Sequence, residues 1–164
     1  MNFADERDLE RHVRRLIAVN ITAQHPEVYA LDNKKAVDIV ICRDGSSPSL
    51  FFLETKLFDP QHGRMGIGSS KGAGCQPEIV RRKPAYFEAN LRWIVVDSRE
   101  TIPKFLFVPT STIRKYLAGN AIGEKFNNIQ LRIFKEVESL TEIELVAELK
   151  QFVLPVALAA NRTG

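Results

Sequence analysis

One charged residue stands inside an apolar run, and two more close the next run. Asp38 stands in the β-branched run Ala36-Val37-Asp38-Ile39-Val40-Ile41-Cys42, and Glu54 and Lys56 close a second apolar run that begins Leu50-Phe51-Phe52-Leu53. An ionised carboxylate among Val, Ile, Leu and Phe is unfavourable unless it is paired or binds a metal. Glu54 and Lys56 are two apart, so on a strand they project from one face. If the two runs pair as a hairpin, Asp38 approaches Glu54 at one end of the sheet, and two carboxylates and an ammonium converge where the strands emerge into solvent. Two hard oxygen donors suit Mg2+, which keeps several waters and accepts phosphate oxygens. A metal lowers the pKa of bound water, and a neighbouring lysine can orient that water or offset developing negative charge.

The tripeptide alone is weak evidence. Acidic-x-Lys occurs three times, as Asp32-Asn33-Lys34, Glu54-Thr55-Lys56 and Glu148-Leu149-Lys150. The first lies in a turn signal and the last on a helical pattern, so both read as solvated charges. The competing reading of the middle one is a surface ion pair at a strand end. Asp38 in the preceding run tips the reading toward a site. His12, His25 and His62 show no metal-ligand spacing, and no cysteine–histidine cluster invites a softer metal.

The elements that must position these residues follow from periodicity. Asp5 to Asn20 reads as a helix with Leu9, Val13, Leu16 and Ile17 on its apolar stripe, ended by Pro26. Val28 to Leu31 reads as a short strand, 32–35 as a turn, and 36–42 and 50–56 as a β-hairpin around a loop containing Gly45 and Pro48. Gly63 to Gly74 reads as irregular, Gln76-Pro77-Glu78-Ile79 as a helix start, and Pro84 as the kink or end of that helix. Leu91 to Val96 and Lys104 to Val108 are expected strands. Thr110 or Ser111 should cap a helix through Leu117, closed by Gly119, and 129–134 reads as a last strand. Glu142 to Val153 reads as a helix with Ile143, Val146, Leu149 and Val153 on one face, available to the core or to a second subunit. The expected fold is α/β, a central mixed β-sheet flanked by helices, in one domain over 1–164.

This arrangement resembles the PD-(D/E)xK nucleases, the restriction-endonuclease-like phosphodiesterases. The residues that carry the resemblance are Val37-Asp38-Ile39-Val40-Ile41 and Phe51-Phe52-Leu53-Glu54-Thr55-Lys56, with fifteen residues between Asp38 and Glu54. Val37 stands where the family's proline gives it its name. The resemblance spans roughly Leu9 to Val108 and implies a restriction-endonuclease-like core. It implies that Asp38 and Glu54 hold Mg2+ (with Mn2+ able to substitute), that the Thr55 carbonyl is a further ligand, and that Lys56 is the catalytic lysine. Many members carry a glutamate on the first helix; Glu10 matches best and Glu6, one turn earlier, is second. Gln76 matches a glutamine that opens the helix after the catalytic strand in some branches. The implied activity is Mg2+-dependent endonucleolytic hydrolysis of double-stranded DNA, as in a type II restriction enzyme acting as a homodimer. A Holliday-junction resolvase, a repair nuclease and a non-cleaving nucleic-acid-binding relative share the same core.

The glycine-rich stretch is neither a Walker A loop, since Gly72 follows Lys71, nor a dinucleotide fingerprint. Glycines let backbone amides approach phosphates, and positive side chains lie in and beyond the stretch. Arg64, Ser69, Ser70, Lys71, Arg81, Arg82 and Lys83 are therefore the expected DNA contacts, against the plainer reading of a solvated surface loop. Trp93 and the strand phenylalanines read as core.

Composition agrees. With 164 residues, 45% hydrophobic and 26% charged, the chain is long enough for a core and is neither disordered nor collagenous. The net charge of +3 is mild. Its distribution is not: 1–55 carry seven basic and nine acidic residues, 56–92 seven and three, and 93–164 nine and eight. The basic segment begins at Lys56 and holds five of the nine glycines, as a polyanion-binding surface would. The apolar run 152–160 is too short to cross a bilayer. No signal-peptide pattern opens the chain, and two cysteines do not make a disulfide framework, so no membrane contact and a cytoplasmic location are expected.

Overall fold

Helix α1, Glu6–Ile17, is the element the apolar spacing demands: Leu9, Val13, Leu16 and Ile17 are buried. Asp5 caps it by accepting from the Asp8 amide. The helix does not run regularly to Asn20. Ala18–Thr22 widens into a π-helical turn, with the Ala23 amide donating five residues back to Ala18. The computed structural model describes residues 3–31, 37–58, 64–66, 85–97, 101–117, 128–130 and 136–154.

The main sheet is built from β1 (Val28–Leu31), β2 (Ile39–Arg43), β3 (Ser49–Phe58), β5 (Leu91–Asp97) and β6 (Lys104–Pro109), in that spatial order. β1, β2 and β3 form an antiparallel meander, β5 joins β3 in parallel, and β6 returns antiparallel. The hairpin register pairs Ile39 with Leu53 and Val40 with Phe52. The α/β class with a mixed, helix-flanked sheet is therefore as expected.

Alternation assigns the two faces. Ile39, Ile41, Phe51, Leu53, Ile94, Val96 and Phe105 pack against α1 and against α4 (Glu142–Val153) in one core. The opposite face carries Val40, Phe52, Glu54, Lys56, Trp93, Val95, Leu106 and Val108. There Phe52 meets the rings of Tyr86 and Phe87 from α2 (Ala85–Asn90). The Trp93 indole donates to the buried Thr110 hydroxyl at 3.3 Å, at the start of α3 (Thr110–Leu117). Trp93 is thus core, as expected.

Several expectations need correction. The described strand β2 starts at Ile39, so Val37 and Asp38 form a bend just before it rather than lying within it. The glycine-rich stretch is not wholly irregular: β4, Arg64–Gly66, pairs with β7, Asn128–Gln130. β7 also starts one residue before the expected last strand. The described helix α2 spans Ala85–Asn90, and Pro84 before it lies outside the described residues. In α4 the buried residues are Leu145, Leu149 and Val153, while Ile143 is 83% exposed. Leu149 and Val153 go to the core, and Val146 is partly buried against it. The turn at 32–35, the helix start at 76–79, Gly119 and Cys75 lie outside the described residues. Cys42 is a free thiol.

Candidate active site

The site forms because β3 outruns β2. Beyond Leu53, whose hairpin partner is Ile39, the described part of β3 pairs with β5 alone. Glu54 and Lys56 lie in this stretch, beside Trp93 and Val95 in register. On the other side the chain enters through the bend at Asp38, one residue outward from the Ile39–Leu53 pair.

Asp38 is fixed by Thr55. Its Oδ2 accepts from the Thr55 backbone N–H at 2.7 Å and from the Thr55 hydroxyl at 3.0 Å. The N–H and C=O of one strand residue point to the same edge, so the Thr55 carbonyl also faces the edge where Asp38 stands.

Glu54 is completely buried and Lys56 is 6% exposed. The surface-ion-pair reading of this tripeptide is therefore wrong: the charges lie inside the protein. Lys56 Nζ lies 3.6 Å from Glu54 Oε2 and 3.8 Å from Glu6 Oε2. These are ion pairs rather than hydrogen bonds. Burial pushes the Glu54 carboxyl well above the usual carboxylate range; the charge of Asp38 and a hydrogen bond with it push the same way, and Lys56 only partly opposes them. A carboxyl so placed accepts a proton, or exchanges it for a cation.

The two glutamates of α1 divide. Glu6, second in the sequence reading, is the one that reaches Lys56. Glu10 instead accepts from Arg14 Nε at 2.8 Å, and Arg14 Nη2 donates to the Asp38 backbone carbonyl at 2.8 Å. Glu10 is thus linked to the main chain of Asp38, not placed on the carboxylates. Arg14 carried no functional expectation, although its spacing of four from Glu10 on a helix signals such a pair.

Asp38, Glu54, Thr55 and Lys56 are brought together. Arg64 lies in β4, beside β3. Gln76, Ser69, Ser70, Lys71, Arg81, Arg82 and Lys83 lie outside the described residues. Among the described residues no group of three His, Cys, Asp or Glu side chains is placed to hold a metal ion. The donor set at Asp38 is two carboxylates with an adjacent backbone carbonyl, too few for a structural zinc or a calcium cage. It fits Mg2+, which binds through one or two carboxylates and retains waters. No described helix is long and apolar enough to cross a membrane.

The site and fold together define an α/β domain with a buried carboxylate–lysine centre at the overhanging end of its central strand. No family model, curated protein or solved structure matches the chain.

Proposed function

We propose that this protein is a Mg2+-dependent endodeoxyribonuclease with a restriction-endonuclease-like core. The observation that carries the reading is the buried Glu54–Lys56 pair with Asp38 beside it. A domain that needed only solubility would leave these charges on its surface. The antiparallel β1–β2–β3 meander, the parallel crossover from β3 to β5, and α1 lying on the sheet support the core assignment.

In this reading Asp38, Glu54 and the Thr55 carbonyl hold the ion, which would supply an acidified water and neutralise charge on the scissile phosphate. The chain's own residues do the rest. Thr55 holds the Asp38 carboxylate toward Glu54 with two hydrogen bonds. Burial keeps competing water from Glu54 and strengthens its electrostatic coupling to anything bound beside it. Lys56, held between Glu54 and Glu6, offers its ammonium to the attacking water or to a phosphate oxygen. The basic segment that follows Lys56 in the chain, with Arg64, Lys71, Arg81, Arg82 and Lys83, gives the duplex its phosphate contacts. Action on both strands calls for a two-fold homodimer.

The test is incubation with supercoiled plasmid, linear duplex and a four-way junction, with Mg2+, with Mn2+ and with EDTA. Cutting of duplex DNA that requires metal is expected, and a preference for the junction would assign the protein to resolvases of the same core. Binding without cutting under every metal would make it a non-cleaving relative.

A further inference from the structure

We infer that Arg14 is a positioning residue of the metal site, acting through the backbone of Asp38. The inference rests on the nuclease reading above. Asp38 lies in the bend at 37–38, outside every described strand, so no described ladder fixes its main chain. Two contacts hold this residue from opposite ends. Thr55 takes the carboxylate, and Arg14 Nη2 takes the backbone carbonyl at 2.8 Å. A small rotation of the Asp38 backbone would swing its carboxylate away from Glu54, whereas a metal ligand must be held to within about 0.5 Å.

Arg14 is suited to this task. Its side chain is 21% exposed and is oriented by Glu10, which accepts from Nε at 2.8 Å. The planar guanidinium presents Nε and Nη2 in a fixed fork, so engaging Glu10 aims the other donor at Asp38. The fork also ties α1 to the bend. One helix thus serves the site twice: its first turn carries Glu6 to Lys56, and two turns later Arg14 fixes Asp38. Glu10 acts through Arg14 and not on the ion. A lysine at position 14 offers one flexible ammonium and cannot reproduce the fork.

The experiment compares the full-length wild type with Arg14→Ala and Arg14→Lys. Mn2+ binding is measured by calorimetry without DNA, urea unfolding monitors folding, and the half-saturating Mg2+ concentration and maximal rate are measured on duplex DNA. Arg14→Ala should weaken Mn2+ binding by about 10- to 100-fold and raise the half-saturating Mg2+ in proportion, as loss of an outer-shell partner does. Saturating metal should recover much of the maximal rate. Arg14→Lys, which keeps the charge and protects folding, should weaken Mn2+ binding by about threefold or more. A folded variant of either kind that binds Mn2+ like the wild type overturns the inference, whatever its stability, and leaves the nuclease reading standing. A wild type that neither binds Mn2+ nor cuts DNA overturns both.

Discussion

Thr55 donates twice to Asp38, its amide at 2.7 Å and its hydroxyl at 3.0 Å, both to Oδ2. The residue between Glu54 and Lys56 is therefore the clamp that joins β3 to the bend before β2. Thr55→Val keeps the shape and the amide bond but loses the hydroxyl. It should lower stability by about 1.5–3 kcal/mol, the range for a hydrogen bond to a charged acceptor. Metal-dependent cleavage should fall severalfold. Urea unfolding and initial rates check both.

Glu54 makes the metal-free protein sensitive to pH. Its folded-state carboxyl titrates well above the ordinary range, because it is buried and faces Asp38. The folded state then holds a proton that the unfolded state has released, so stability falls as pH rises above the ordinary glutamate range. Glu54→Gln removes this titration. Its unfolding free energy should be flatter with pH than the wild type's and should exceed it at pH 8 without metal. Urea midpoints between pH 5 and pH 8 in EDTA test this, and Mg2+ should restore wild-type stability at pH 8 but do nothing for Glu54→Gln.

Lys56 favours the ionised form of the buried Glu54 carboxyl, with its ammonium 3.6 Å from Oε2. Lys56→Met preserves the bulk and removes the charge. Breaking a buried pair from one side is strongly destabilising, here limited because Glu54 can take up a proton. The expected loss is roughly 3 kcal/mol at pH 8 and clearly less at pH 5. Equal losses at the two pH values would show that Lys56 contributes packing alone.

Leu149 separates fold from site. It is fully buried on the face covered by α1 and α4, opposite Glu54 and Lys56. Leu149→Ala should cost about 2–5 kcal/mol through the cavity it leaves. At temperatures where the variant stays folded, its metal requirement should match the wild type's.

The parts of this architecture that were legible from residues alone are those in which one strong pattern dominates. The apolar runs around Val40 and Phe52 could only be buried strands, and the short loop between them made a hairpin, which set Asp38 opposite Glu54. The bend at Asp38 was not legible, because β-branched neighbours mask the point where pairing ends. Ile143 and Leu145 compete for the same helical pattern. The hydrogen-bonded cap at Thr141 and Glu144 fixes where α4 begins, and the face presented to the core then runs through Leu145 and Leu149, leaving Ile143 in solvent. Glu6 and Glu10 lie one turn apart on the helix, and spacing favoured Glu10 because it borders the apolar stripe with Val13 and Ile17. Arg14 decides: its guanidinium takes Glu10 and leaves Glu6 for Lys56. The strand at Arg64–Gly66 was hidden because its partner, Asn128–Gln130, is far away in sequence and glycine argued against it.

The proposed nuclease activity depends most on Asp38, Glu54 and Lys56 acting as one centre on DNA. Its most direct measurement is the rate of plasmid nicking by wild type, Asp38→Asn and Lys56→Ala in Mg2+, each checked for folding. Metal-dependent nicking is expected of the wild type, with a fall of at least about 100-fold in both variants. Variants that nick as fast as the wild type, or wild-type nicking that persists in EDTA, would contradict it.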